Sequence, residues 1–192
     1  MKKLIILVGK CAVGKTCLEK VLNELYGVQR GVSYTTRPPR SCEVNHVDYH
    51  FISNEEFDEM LKRNEFFEMT EYYVNGEKWR YGLATGSFIK DAINVTTVNP
   101  EGLIGLSKHI PLEKLKVFKI ISEDSTRVER YLKRENYSPK AVKNLSERLT
   151  RDEEDFDVKR ILENSNIPFE RIFNEKDRTL DSVASEIYKR IF

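Results

Sequence analysis

The sequence lacks the residues that staple small extracellular folds. Its three cysteines, Cys11, Cys17 and Cys42, are odd in number and have no metal-type spacing. Free thiols and a reducing compartment are therefore expected. Long apolar runs are also missing. Leu4 to Val8 is apolar, but Gly9-Lys10 interrupts it, so it is too short for a secretory leader or a bilayer span. A cytoplasmic protein without membrane attachment is the expectation. Nor is there an excess of charge of one sign. Lys and Arg number 32, Asp and Glu 31, and the formal net charge is +1. A general nucleic-acid binder carries a clear basic excess, so no nucleic-acid partner is expected. Any function that needs positive charge must cluster it locally.

Apolar residues make up 40% of the 192 positions and charged residues 33%, which suits one packed core under a heavily charged surface. No internal repeat or low-complexity linker is visible. Leu4 to Val8 reads as a fully buried strand, and Leu18, Val21, Leu22 and Leu25 recur at helical spacing after it. Residues 33–92 change character. Short alternating pieces around Tyr49 to Ile52, Phe66 to Tyr73 and Trp79 to Tyr81 enclose a short helix, Asn54 to Lys62, which Asn54 can cap. Asn94 to Val98 and Lys116 to Ile121 return to the buried-strand pattern. Glu123 to Glu163 is helical in propensity with a break near Asn136 to Pro139. Phe169 to Phe173 reads as a last strand and Leu180 to Ile191 as a closing amphipathic helix. Strands alternating with helices predict an α/β fold with a parallel central sheet covered on both faces.

The octapeptide Gly9-Lys10-Cys11-Ala12-Val13-Gly14-Lys15-Thr16 matches G-x-x-x-x-G-K-[ST] between a buried strand and a helix. Its glycines let successive backbone N–H groups turn inward onto phosphate oxygens, and the following helix adds its positive N-terminal end. Lys15 can reach β- and γ-phosphates, and the Thr16 hydroxyl can ligate Mg²⁺. A nucleoside triphosphate site is the firmest reading of the chain. Lys10 suits a phosphate contact or plain exposure equally well.

Ser33-Tyr34-Thr35-Thr36-Arg37-Pro38-Pro39-Arg40 sets two arginines around a stiff Pro-Pro pair. Arginine forks suit phosphate, so this segment reads as a second anion site or as an ordinary basic turn. With Glu43-Val44-Asn45, Val47 to Phe51, Ser53 to Phe57, Asn64 to Glu68 and Tyr81-Gly82, it resembles the monophosphate-binding segment of guanylate kinases. The resemblance implies a three-layer P-loop NTPase fold. It divides the chain into a core (1–32, 93–122 and 164–192), an α+β GMP-binding subdomain (33–92) and a helical lid (123–163). It implies that Gly9, Cys11, Ala12, Val13, Gly14, Lys15 and Thr16 hold ATP, with Asn174 near adenine. It further implies that Ser33, Arg37, Arg40, Tyr49 and Tyr81 hold the GMP phosphate and that Glu68 reads guanine. A carboxylate can accept from both N1–H and the 2-amino group of guanine, a donor pair that adenine lacks.

Arg130 and Arg134 share one helical face, and Arg148 and Arg151 share another. Their positions are similar to the lid arginines of the family, although Glu129, Glu135, Glu147 and Asp152 also allow a plain salt-bridged helix. On the family reading Arg130 and Arg134 meet ATP, Arg148 and Arg151 meet the acceptor, and Lys15, Arg134 and Arg148 are catalytic. The chain departs from the family where Asp-x-Asp is usual. Thr97-Val98-Asn99-Pro100-Glu101-Gly102 carries neither aspartate. Asn99 retains a carbonyl for the base, and Glu101 offers a nearby carboxylate. Leu83 stands where Ser or Thr is common, with Thr85 as its expected substitute.

The resulting expectation is Mg²⁺-dependent transfer of the ATP γ-phosphate to GMP or dGMP, by a monomer or homodimer. The alternatives are a kinase for another nucleoside monophosphate or a sugar phosphate, and a catalytically weak binding module of the same fold.

Overall fold

The computed structural model describes residues 1–40, 43–74, 76–156 and 166–192. In chain order the first elements are β1 (Lys3–Val8), α1 (Lys15–Tyr26), β2 (Gln29–Arg30), β3 (Tyr34–Thr35), β4 (His50–Phe51), α2 (Asn54–Lys62), β5 (Phe66–Val74) and β6 (Glu77–Ala84). They are followed by β7 (Ile93–Thr97), α3 (Pro100–Ser107), β8 (Leu115–Ile121), α4 (Asp124–Arg134), α5 (Pro139–Asp155), β9 (Phe169–Phe173) and α6 (Leu180–Lys189).

From Leu4 to Val8 every residue of β1 is buried. A strand covered on both faces belongs inside a parallel sheet, and β1 is the centre of one, in the order β2-β7-β1-β8-β9. Successive side chains point to opposite faces. Ile5 and Leu7 enter a core with Leu18 and Leu22 of α1 and Val183 and Ile187 of α6. Leu4, Ile6 and Val8 enter a second core with Leu103 and Leu106 of α3. Each fully buried aliphatic contributes roughly 1.5–3 kcal/mol. The sheet between two helical layers is the expected three-layer P-loop arrangement.

A second sheet, in the order β4-β3-β6-β5, is built within residues 34–84. Its β5–β6 hairpin runs antiparallel from Phe66↔Ala84 to Val74↔Glu77, with a register shift between Phe66 and Glu68. A bulge re-aims the side chain beside it, and here that side chain is Glu68. The α2 helix closes over this sheet. Phe57 stacks on Phe66 at 4.5 Å between ring centroids, and the Arg80 guanidinium lies 4.6 Å from the Phe57 ring centroid.

The α2 cap differs from expectation. Ser53, not Asn54, is the N-cap, in a reciprocal capping box with Glu56. The Asn54 side chain instead accepts from Arg80 Nη2 at 2.9 Å. The break between α4 and α5 is made by Asn136 and Tyr137, both left-handed (φ 51° and 50°), before Ser138 caps α5. Cys42 and residues 157–165 of the expected lid lie outside the described residues. Cys11 and Cys17 are free thiols. Among the described residues no helix is long and apolar enough to cross a membrane.

Two residues of the phosphate loop are left-handed. Gly14 has φ 96°, and a Cβ there would stand 2.5 Å from Asn174 Nδ2. Ala12 has φ 61°, a region that costs an L-residue roughly 1–2 kcal/mol. Ala12→Gly relieves that strain but frees the unfolded chain by about 0.4–1 kcal/mol. The expected net result is a gain of about 0.5 kcal/mol in urea unfolding, whereas Ala12→Val should lose stability.

Candidate active site

A cleft of about 750 Å³ opens where the C-terminal ends of the central strands face the second sheet. The chain passes to opposite sides of β1 to form β7 and β8, and α/β proteins bind ligands at such a switch point. Gly9, Cys11, Ala12, Gly14, Lys15 and Thr16 line its floor. Lys15 Nζ donates to the carbonyls of Gly9 and, at 3.0 Å, of Lys10. Burial lowers its pKa to about 8, so the ammonium form still dominates at neutral pH. Burial opposes ionisation of Cys11, but the Arg148 and Arg134 guanidiniums outweigh it and hold the thiol below its ordinary value. Negative charge on Cys11 in turn raises Arg148 above the usual guanidinium value.

The helices beyond β8 reach down to this loop. Both carboxylate oxygens of Asp152 in α5 lie 3.1 Å from the Cys11 amide, which donates to them. Arg127 in α4 donates from Nε to the Cys11 carbonyl at 3.1 Å and from Nη2 to Asp152. Lys10 pairs with Glu153. Arg130 is held by Ser122 Oγ at 3.1 Å and the Asn174 carbonyl at 2.9 Å. Asn174 Nδ2 donates to the Val13 carbonyl at 2.8 Å, tying the end of β9 to the loop.

The opposite end of the cleft is rich in arginine and phenol. Arg37 is 4% exposed, and Glu43 accepts from its Nη2 at 2.9 Å. Glu43 also accepts from the Arg40 amide at 2.8 Å and from Arg40 Nη1 at 3.1 Å. Glu135, at the end of α4, bridges Arg40 at 3.4 Å and Arg134 at 3.1 Å. Ser33, Tyr49 and Tyr81 line the same end. Burial pushes the Tyr49 phenol up to about 12, so it remains a hydroxyl donor. Glu68 stands against α3, where a Cβ on Gly102 would lie 2.8 Å from its Oε2. Burial pushes Glu68 up to about 7, against hydrogen bonds from the Thr70 hydroxyl and the Leu83 amide.

The matching family model is that of guanylate kinase, over residues 1–168. The chain belongs to the guanylate kinase family. Among its relatives is the guanylate kinase of Malacoplasma penetrans, 32% identical over 154 residues, which covers 77% of this chain and 67% of that protein. That of Prochlorococcus marinus subsp. pastoris is 27% identical over 177 residues, covering 84% and 96% respectively. The alignment with the Symbiobacterium thermophilum enzyme is 47% identical but spans 38% of this chain and 35% of the relative. In fold, the chain is similar to the crystal structure of guanylate kinase from Anaplasma phagocytophilum. The TM-score is 0.64 at 17% identity, over 98% of this chain and 84% of that one.

Within this family frame, most of the expected residues meet in the one cleft, and several do something other than expected. Val13 is buried in the core, and its carbonyl accepts from Asn174 Nδ2. Thr85 does not line the cleft. It opens a short 3₁₀ turn, exposed to solvent, and its amide donates to the Glu65 carbonyl at 2.8 Å. It cannot stand in for Leu83, whose own side chain is fully buried. Asn99 borders the cleft, but its Oδ1 caps α3 by accepting from the Gly102 amide at 2.8 Å. Its Nδ2 donates to Tyr72 Oη at 3.1 Å. Both ends of the amide thus hold protein partners, and Oδ1 keeps one further lone pair. Glu101 is exposed on α3 and does not line the cleft. Arg151 reaches the β5–β6 hairpin, donating to the Tyr73 carbonyl at 3.2 Å and covering the Tyr72 ring.

Four residues that organise the cleft carried no assigned role in the sequence. Glu43 and Glu135 orient the arginines, and Arg127 and Asp152 grip the Cys11 peptide from both sides. Charge pattern alone does not separate these contacts from surface ion pairs. Arg127 is 2% exposed and Asp152 9%, and removing one member of a buried pair strands the other. Asp152→Ala is therefore expected to cost about 3 kcal/mol in urea unfolding. Asp152→Asn, which can still accept from Cys11, should cost less. A loss for Asp152→Ala within the ~1 kcal/mol of a surface pair would show that the grip is not structural.

Proposed function

We propose that this protein transfers the γ-phosphoryl group of ATP to GMP or dGMP, giving ADP and GDP or dGDP, with Mg²⁺ bound beside the phosphates. The observation that carries this reading is one cleft lined by cationic and N–H groups that suit two phosphates. Loop residues with Lys15 line it, as do Arg37 and Arg40, and Arg148 and Arg134 line it too, with Arg134 linked to Cys11 and, through Glu135, to Arg40. Phosphoryl transfer asks the protein for in-line placement and for neutralisation of charge spreading over the transferring group. Lys15 supplies a cation at the donor phosphates. Arg37 and Arg40, held in place by Glu43, supply two forks for the acceptor phosphate, with Tyr49 and Tyr81 as phenol donors. Arg134 and Arg148 flank the path between them. Packing of α4 and α5 against the loop keeps water out and favours transfer to the acceptor over hydrolysis.

The oxygen donors around the loop fit Mg²⁺, a hard cation that keeps several waters and few protein ligands. The Thr16 hydroxyl opens into the cleft beside Lys15 and would hold the ion. The ion supplies charge neutralisation at the β- and γ-phosphates.

Lys15→Ala is expected to lower GMP-dependent ADP release by about 10²–10³-fold, the scale of losing one charge-stabilising donor. Retention of that activity would defeat the kinase reading. Dependence of ADP release on GMP also separates an enzyme from a binding module of this fold.

Glu68 reads guanine only as a carboxylate, because only then are both oxygens pure acceptors. Its folded pKa is about 7, so acceptor affinity should be full above pH 7 and fall as the pH drops through it. Equilibrium titrations with GMP should show that decline in the wild type and not in Glu68→Gln, which also controls for ionisation of the GMP phosphate. The apolar Leu83 and the committed Asn99 favour a second reading, in which another phosphorylated acceptor is preferred. A panel of acceptors with ATP tests it. If AMP serves as well as GMP and dGMP, the guanine assignment is lost.

A further inference from the structure

One buried acid beside the phosphate loop has no part in the mechanism above. Glu19 lies in α1, three residues after Thr16 and four after Lys15, on the helix face they share. It is 8% exposed. Its Oε1 accepts from the Thr97 hydroxyl at 2.5 Å. Thr97 is the last residue of β7, paired in register with Leu7 of β1, and it lines the cleft. Among the described residues it forms an ion pair with Arg30, whose Nη2 lies 3.8 Å from Glu19 Oε2, too long for a hydrogen bond. The Nε of Arg30 is buried with no hydrogen-bond partner among the described residues. Buried carboxylates are rare without a close cation.

We infer that Glu19 and Thr97 together form the acidic wall of the cation site beside Thr16. Thr97 presents its oxygen to the water shell of Mg²⁺, and Glu19 acts behind it as a positioning residue. This rests on the proposal that the loop holds a Mg²⁺-nucleotide. A hydroxyl has one proton and two lone pairs. When Glu19 is ionised the proton is committed to it, and Thr97 can only accept toward the cleft, which is the role a metal-bound water requires. The carboxylate behind it makes that oxygen more negative. Groups that orient the shell of a metal govern its affinity nearly as strongly as the ligands themselves.

The test is equilibrium binding of a fluorescent ADP analogue to the full chain, titrated with MgCl₂ and repeated without metal. Glu19→Gln and Thr97→Val should each raise the Mg²⁺ concentration needed for half of the tightening by about tenfold. Metal-free nucleotide binding should stay unchanged. The double variant should be no worse than either single, because the two residues act as one unit. Thr97→Asp in the Glu19→Gln background puts a carboxylate on the cleft wall and should restore the Mg²⁺ response. This rescue also distinguishes lost charge from a damaged fold. An unchanged Mg²⁺ midpoint, an equal loss of metal-free binding, or no rescue by Asp overturns the inference. The readout uses the donor nucleotide alone, so failure of the acceptor assignment in the kinase assays leaves it standing.

Discussion

The backbone amides between Val8 and Lys15 leave a buried strand and enter a helix without a ladder partner of their own. Unsatisfied backbone donors and acceptors in so enclosed a place cost on the order of 1–3 kcal/mol each, and the surrounding structure answers one amide and several carbonyls. Asp152 takes the Cys11 amide, Arg127 takes the Cys11 carbonyl, and Asn174 takes the Val13 carbonyl. Lys15 folds onto the carbonyls of Gly9 and Lys10. One loop amide and several loop carbonyls thus organise α4, α5 and the end of β9 around the loop. A carboxylate at that amide is a chemically sensible neighbour, because it matches the sign and geometry of a phosphate oxygen.

Charge in the cleft follows the same logic. The chain is nearly neutral, yet seven of its arginines line one cavity. Their mutual repulsion is reduced by acids placed beside them. Glu43 serves Arg37 and Arg40, and Glu135 serves Arg40 and Arg134. These acids also fix the guanidinium forks in place, so an arriving phosphate meets arginines with little freedom left to lose. Glu135 and Arg151 both connect the helical part to the second sheet, one through Arg40 and the other through Tyr73. The helical part is therefore tied to residues 33–92 by side-chain contacts.

Much of this was readable in one dimension. The apolar run Leu4 to Val8 implied a strand buried on both faces, and it is the middle of the sheet. The octapeptide at Gly9 to Thr16 carries its own local geometry, since glycine placement and a following helix suffice to define a phosphate cradle. The capping of α2 was misplaced by one residue because Ser53 and Asn54 are both good caps. The capping box with Glu56 and the pull of Arg80 on Asn54 decide between them. Thr85 lies outside the cleft, and Asn99 and Arg151 line it while also serving protein groups, for a related reason. A polar side chain can serve the backbone, a neighbouring loop or a ligand, and the choice depends on what stands within about 3 Å of it.

The sequence by itself determined the strand–loop–helix unit, the order of the layers and the presence of clustered arginines. Each of these is local or periodic, and local sterics and hydrophobic alternation act over a few residues. Tertiary structure alone decided which acids meet which arginines, and that Asp152 grips the loop. It also decided that Asn99 faces α3 and Tyr72, and that Glu19 reaches the end of β7. Those pairings join residues up to 141 positions apart. They depend on angles between packed elements, which no spacing along the chain encodes.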